Sequence, residues 1–269
     1  VSEMAEGQYE PTGQRHAFAS PQQAAVSAGP CMAAPVCAII VAGGTGSRFG
    51  NPGGKQLVMV EGRPLVSWCI AAFDRAELVG HIVVVCPQER RCEMARDAVE
   101  PFGYATPVTY ADAGSTRQDS TRAGLDAAPE GFSYVAVHDG ARPLIKPQTI
   151  DSAARVLMAN SEIDGVVCGQ PAIDTLKRVE PDGRIIDTPS RSQFWTVQTP
   201  QIFTVAALRH AFEVADRTGF VGTDDASLVE RAGGSVLCVE SPRDNIKVTV
   251  PEDLAVVAGA LRRSSGYEA

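Results

Sequence analysis

Val36-Cys-Ala-Ile-Ile-Val41 carries an apolar side chain at every position and then stops abruptly at Ala42-Gly-Gly44. Strand side chains alternate between the two faces of a sheet, so a run without polar residues predicts a strand covered on both sides. Ile82-Val-Val-Val85 repeats the pattern, and Gly165-Val-Val-Cys168 does so more briefly. Between such runs the apolar residues recur at helical spacing instead. Leu65, Trp68, Cys69, Ala72 and Phe73 share a helical face, with Pro64 at the helix start. Continuous apolar strands separated by helices predict an α/β fold, a mostly parallel twisted sheet with helices on both faces.

Further helices are expected at Gln88–Val99, Gln118–Ala127 and Thr149–Met158. Val205, Leu208, Phe212 and Ala215 mark another, and Leu254, Val257 and Leu261 one more. Strands are expected at Val108–Tyr110, Tyr134–Val137, Ser235–Val239 and Ile246–Val250. The alternation breaks between Gln170 and Val197. There, Leu176–Glu180 and Arg184–Asp187 flank Pro181-Asp-Gly183, which reads as a β-hairpin. It is too polar for a buried sheet, so residues 170–197 are expected to project as an arm. Exposed hairpins are commonly covered by a partner subunit. No linker divides residues 36–263, which read as one domain.

Composition narrows the function. The 269 residues hold 24 Lys and Arg against 32 Asp and Glu, a formal net charge of −8. That balance argues against nucleic-acid binding, so a polyanionic ligand must meet a local cationic cluster. Seven cysteines show no C-x-x-C pair and no close His/Cys cluster, which predicts reduced thiols in a cytoplasmic protein. No apolar stretch approaches the ~18 residues that cross a bilayer, so no membrane partner is expected. Residues 1–35, rich in Gly, Ser, Ala, Gln and Pro, are expected to form a disordered extension without a signal core. A translation start at Met32 is the other expectation for that segment.

The end of the first strand is the sharpest site signal. Ala42-Gly-Gly-Thr-Gly-Ser-Arg48 and Gly53-Gly-Lys-Gln56 put exposed backbone N–H groups beside an Arg and a Lys, a combination that suits a polyphosphate. The G-x-x-x-x-G-K-[ST] loop would need Gly at Phe49 and a hydroxyl at Gln56. The dinucleotide fingerprint accepts Gly44 and Gly46 but again meets Phe49. Its ribose-binding acid is missing too, because the next strand ends in Cys86-Pro-Gln88. Both familiar loops fail at defined residues.

Ligands of open α/β sheets gather where loops leave the carboxyl ends of strands. His138-Asp-Gly-Ala-Arg-Pro143 follows one strand, and Gly114-Ser-Thr-Arg-Gln-Asp-Ser120 opens a helix after another. Thr196-Val-Gln-Thr-Pro-Gln201 and Asp244-Asn-Ile-Lys-Val-Thr249 complete the set. With Asp174-Thr175 and Thr223-Asp-Asp-Ala226, their order and spacing resemble the 2-C-methyl-D-erythritol 4-phosphate cytidylyltransferase family over about residues 36–262.

The resemblance implies a fold like the nucleotide-diphospho-sugar transferases and a homodimer whose arms complete each other's sites. It also implies a reaction in which CTP and methylerythritol phosphate give a CDP-alditol and pyrophosphate, in non-mevalonate isoprenoid synthesis. By similarity, Arg48 and Lys55 act at the α-phosphate of CTP, while Lys247 and Arg191 hold the incoming substrate phosphate, Arg191 from the neighbouring subunit. CTP contacts would come from Ala42, Gly43, Gly44, Thr45, Gly46, Ser47, Gly114, Ser120, Asp139 and Gly140. Thr175, Thr199 and Arg142 would face the alditol phosphate. Mg2+ would bridge the CTP phosphates, with Asp139 as its protein ligand.

The attacking phosphate needs no general base, since its second pKa is about 6. Positive charge is what the reaction requires, because two anions are forced together. His138 therefore reads as structural. Val41-Ala-Gly-Gly44 stands where the erythritol enzymes more often have Pro-Ala-Ala-Gly, Ser190 precedes Arg191 in place of Asp, and Gly140 replaces Ala. The Ala-Gly-Gly-x-Gly-Ser-Arg wording also resembles the sister ribitol-5-phosphate cytidylyltransferases, whereas Thr223–Glu230 favours the erythritol enzymes. A catalytically silent CTP sensor is the reading from a different class.

Overall fold

The apolar run Val36–Val41 forms β1, an interior strand of a seven-stranded sheet. The structure is a computed structural model that describes residues 34–44, 49 and 54–265. The expected extension, save Ala34 and Pro35, lies outside the described residues, as do Thr45, Gly46, Ser47 and Arg48. After β1 come β2 (Met59–Val60), β3 (Arg63–Pro64), α1 (Leu65–Asp74) and β4 (Val79–Cys86). They are followed by α2 (Arg91–Met94), β5 (Val108–Asp112), α3 (Arg117–Asp126), β6 (Tyr134–Asp139), α4 (Pro147–Met158) and β7 (Gly165–Pro171). The chain continues through β8 (Arg178–Val179), β9 (Ile185–Asp187), β10 (Trp195–Thr204), α5 (Val205–Thr218), α6 (Asp225–Arg231), β11 (Val236–Glu240) and α7 (Asp253–Ser265).

The sheet order is β11-β7-β10-β6-β1-β4-β5. β5, β4, β1 and β6 run parallel, as do β7 and β11, while β10 is antiparallel to both of its neighbours. Period-two alternation builds a core on each face. Ala38, Ile40, Ile82, Val84 and Ala136 pack under α1 and α4, and Cys37, Ile39, Val83, Val85, Val135 and Val137 pack under α3, α5 and α6. A third cluster joins Val60 and Leu65 to Val248, Val257 and Leu261, which ties the chain's last segment to its first helix.

Several elements differ from their sequence expectation. Ile246–Val250 forms no strand. Its Val248 N–H reaches the Ala141 carbonyl at 2.8 Å, but the Thr249 and Val250 N–H groups are taken by the Asp253 carboxylate at 2.6 and 3.0 Å. No ladder can form where a helix-start carboxylate competes for the donors. β10 is masked in the sequence because Pro200 interrupts it, and the register shifts between Val197 and Gln201 accommodate that residue. α6 lies in a stretch that reads only as a polar motif. The charged helix expected at Gln88–Val99 is present but irregular: a 3-10 turn, α2, a π turn over Ala95–Val99, and a 3-10 turn that ends before Gly103 at φ 58°.

Between β7 and β10 the chain leaves the main sheet. β8 and β9 pair only with each other, antiparallel, and every residue of both strands is exposed.

Candidate active site

The carboxyl ends of β1, β5 and β6 open into a cleft of about 400 Å³. Gly43 and Gly44, Lys55 and Gln56, Gly114 to Arg117, Ser120, Asp139, Lys247 and Thr249 are among the residues that line it. Backbone makes its upper wall. A Cβ on Gly43 would stand 2.4 Å from the Ala113 Cβ, so the loops after β1 and β5 approach this closely only with glycine there. Gly114 is equally constrained, because its Cβ would lie 2.2 Å from that of Asp119.

The N-terminus of α3 faces this cleft. The Thr116 hydroxyl accepts the Asp119 N–H at 3.0 Å while the Asp119 carboxylate accepts the Thr116 N–H at 3.1 Å, a reciprocal cap. The Ser120 hydroxyl donates to the Thr116 carbonyl at 2.9 Å and accepts the Gly114 N–H at 3.1 Å. Ser120 thus shapes the Gly114 turn beside its place in the cleft wall.

Asp139, at the end of β6, is the hub. Its carboxylate meets Lys247 Nζ at 2.7 Å, Arg117 Nε at 3.3 Å and Arg142 Nε at 3.7 Å. Burial alone would raise this carboxyl, but Arg117, Lys247 and Arg142 together hold it well below the usual carboxylate range. Lys247 arrives because the segment 246–249 alternates: Ile246 and Val248 pack into the third apolar cluster while Lys247 and Thr249 line the cleft. The Lys55 ammonium crosses from the other side and donates to the Val248 carbonyl at 2.6 Å. Lysines from distant parts of the chain therefore reach one wall.

Several expected residues take other places. Thr199 is buried, and its hydroxyl accepts the Asp139 N–H at 3.0 Å and bonds His138 Nδ1 at 3.1 Å, so it braces β6 instead of facing an alditol. Arg142 lies behind Asp139 and does not line the cleft; its Nη1 donates to the Asn245 carbonyl at 2.9 Å. Ala42 is 3% exposed, with its N–H held by Val85, and Gly140 gives its N–H to Val41. Thr175 and Arg191 sit in the exposed segment between β7 and β10, with the Arg191 guanidinium on the Ile173 carbonyl, and neither lines the cleft of the same chain. Arg48 lies outside the described residues.

Arg117 and Asp225 do not stand out in the sequence, although both lie inside motifs that do. Arg117 joins Asp139 to Asp225, its Nη1 lying 2.9 Å from an Asp225 carboxylate that is 1% exposed. Burial opposes the Arg117 charge, and the two carboxylates more than offset that effect.

His138 is fully buried against Phe73, with ring centroids 5.1 Å apart, and its Nε2 lies 3.2 Å from the Arg142 carbonyl. With Nε2–H donating to that carbonyl, Nδ1 is left to accept the Thr199 hydroxyl proton. Burial lowers this imidazole from 6.5 to about 4, so it is neutral at physiological pH. Between pH 6.5 and 4 the unfolded chain binds the extra proton, so stability falls with acidification by up to about 3 kcal/mol. His138→Gln is expected to flatten this part of the stability curve, which denaturant midpoints at pH 7, 5.5 and 4.5 would measure. An unchanged slope would rule out His138 as its source.

A largely parallel sheet carrying a cationic, glycine-walled cleft at its carboxyl edge defines a nucleotide-binding α/β protein. The chain matches the family model described as IspD, 2-C-methyl-D-erythritol 4-phosphate cytidylyltransferase, over residues 36–263. A relative of that name from Synechococcus sp. (strain WH7803) is 41% identical over 224 residues, covering 83% of this chain and 97% of the relative. Another of that name, from Syntrophotalea carbinolica, is 39% identical over 236 residues, 87% of this chain and 99% of its own length. The crystal structure of the Thermus thermophilus enzyme of that name aligns with a TM-score of 0.65 at 34% identity, covering 84% of this chain and 98% of that one. The 4-diphosphocytidyl-2C-methyl-D-erythritol synthase of Anaerococcus prevotii aligns with a TM-score of 0.74 at 26% identity, covering 84% and 96%. This chain belongs to the 2-C-methyl-D-erythritol 4-phosphate cytidylyltransferase family.

Proposed function

We propose that the protein joins CTP and 2-C-methyl-D-erythritol 4-phosphate to give 4-diphosphocytidyl-2-C-methyl-D-erythritol and pyrophosphate, a step of isoprenoid synthesis. The observation that carries this reading is the meeting of Lys55, Lys247 and Arg117 in one cleft, in a chain of this family. An oxygen of the alditol phosphate forms a bond to the α-phosphorus of CTP. The bond from that phosphorus to the bridging oxygen breaks, and pyrophosphate leaves with the electron pair. The nucleophile is already ionised, so no side chain has to accept a proton. Lys55 and Arg48 oppose the charge that builds at the α-phosphate, while Lys247 receives the incoming phosphate.

Asp139 is the carboxylate that lines the cleft, and no group of three or more His, Cys, Asp or Glu is arranged for a metal among the described residues. A single ionised carboxylate suits Mg2+, which keeps several waters and binds largely through substrate phosphates. Asp139 would hold that ion, which supplies further neutralisation of the triphosphate charge when bound.

The reading includes a homodimer through residues 170–197. Ile173, Val179, Ile185, Ile186, Phe194 and Val197 are all large apolar residues left exposed there, which supports burial against a second copy. In that assembly the partner subunit's Arg191 and the partner subunit's Thr175 reach the alditol phosphate. A cytoplasmic location fits the six described cysteines, which are all unpaired. No described helix is long and apolar enough to cross a membrane.

Pyrophosphate release, measured with CTP, Mg2+ and each alditol phosphate in turn, tests the proposal. Release is expected with methylerythritol phosphate and at least ten-fold less with ribitol 5-phosphate, about 1.4 kcal/mol of discrimination. The reverse preference would transfer the chain to ribitol chemistry, and silence with both would leave a CTP sensor.

A further inference from the structure

Gln56 lines the cleft next to Lys55 and is 5% exposed, yet its Oε1 is buried without a hydrogen-bond partner among the described residues. Its backbone is fixed, the carbonyl accepting the Val66 N–H at 3.0 Å near the start of α1. The amide oxygen rests against Gly140, where a Cβ would stand only 3.0 Å from it. Glycine at 140 therefore leaves this oxygen the room that an alanine would contest. A buried acceptor without a donor is costly, and native proteins keep few of them. One that borders a ligand cleft is explained by a donor that the ligand brings.

The chemistry of the walls selects that donor. Phosphate oxygens carry no proton to offer at neutral pH, and neither nearby ammonium bonds this oxygen, Lys55 being directed to Val248 and Lys247 to Asp139. One end of the cleft, where Gly114, Ser115, Thr116 and Ser120 line the wall, presents uncharged groups and suits a base, whereas Lys55 and Lys247 mark the phosphate end. A ribose lies between the base and the phosphates of any nucleotide. We infer that Gln56 reads the nucleotide sugar, its Oε1 accepting a hydrogen bond from a ribose hydroxyl. This rests on the assignment of the cleft to CTP.

The test compares CTP with 2′-deoxy-CTP and 3′-deoxy-CTP in the wild type and in Gln56→Met, which keeps the side-chain volume and removes the amide. In the wild type kcat/KM is expected to fall ~10-fold or more for at least one deoxynucleotide, because the acceptor is then stranded. In Gln56→Met that preference should shrink below ~3-fold, while the melting temperature of the free protein stays level or rises. A ribose preference that survives in Gln56→Met overturns the inference. So does a variant whose ribose preference is intact but whose KM for the alditol phosphate has risen, since the acceptor then serves the alditol. A wild type that releases no pyrophosphate from CTP refutes the assignment of the cleft and the inference with it, whereas an active wild type with an unmoved preference refutes the inference alone.

Discussion

Lys55→Ala is expected to lower turnover by a factor of ~10² to 10³, the usual effect of removing one preorganised charge from a transition state. The ammonium sits in the cleft and holds the Val248 carbonyl at 2.6 Å, so it arrives aimed and restrained. Little of this effect should appear as lost stability. Lys55 is half-buried at the cleft and outside the three apolar clusters. Single-turnover rates at saturating CTP, with a denaturation curve beside them, separate the two effects. Wild-type turnover in Lys55→Ala would remove the residue from the mechanism.

Arg117→Ala is expected to produce the largest loss of stability. It strands Asp225, which is 1% exposed and whose carboxyl burial already pushes up against the pull of Arg117. Removing one partner of a buried pair costs ~3–5 kcal/mol because the other charge is left uncompensated. In a domain of this size each kcal/mol moves the melting temperature by about 2–4 °C, so a fall of at least ~6 °C is expected. The pH signature has a definite sign. Without Arg117 the folded pKa of Asp225 rises further above its unfolded value, so the folded state binds a proton more tightly. The deficit should therefore shrink as pH falls through that raised pKa toward the unfolded value. Adding Asp225→Asn should restore much of the stability, since the stranded charge is then gone. A melting temperature within ~2 °C of wild type, or a double variant no better than Arg117→Ala, would contradict the pairing.

Much of the fold is legible in the sequence because buried parallel strands have a distinctive pattern. β1 and β4 have no polar face, and their flanking helices repeat at helical spacing, so burial on both sides follows from residue type. β10 is hidden by Pro200, and the segment 245–249 imitates a strand through its alternation but spends its donors on Asp253 and Ala141. The same distinction runs through the site. Lys55 and Asp139 are visible because charge soon after a strand end is unusual and has few structural uses, and Lys247 is visible through the family resemblance of its motif. Thr199 and Arg142 look alike at that level, and only packing separates a residue that touches a ligand from one that holds Asp139 in place. Arg117 and Asp225 pair across more than a hundred residues of sequence, a relation that spacing along the chain does not carry.

A crystal structure of the protein with CTP bound tests the central claim most directly. The α-phosphate should lie within hydrogen-bond reach of Lys55 with Lys247 beside the face that the alditol phosphate attacks, the cytosine against Gly114 and Ser120, and a ribose hydroxyl on Gln56. A nucleotide bound elsewhere, or one whose α-phosphate turns away from Lys55, would contradict the account.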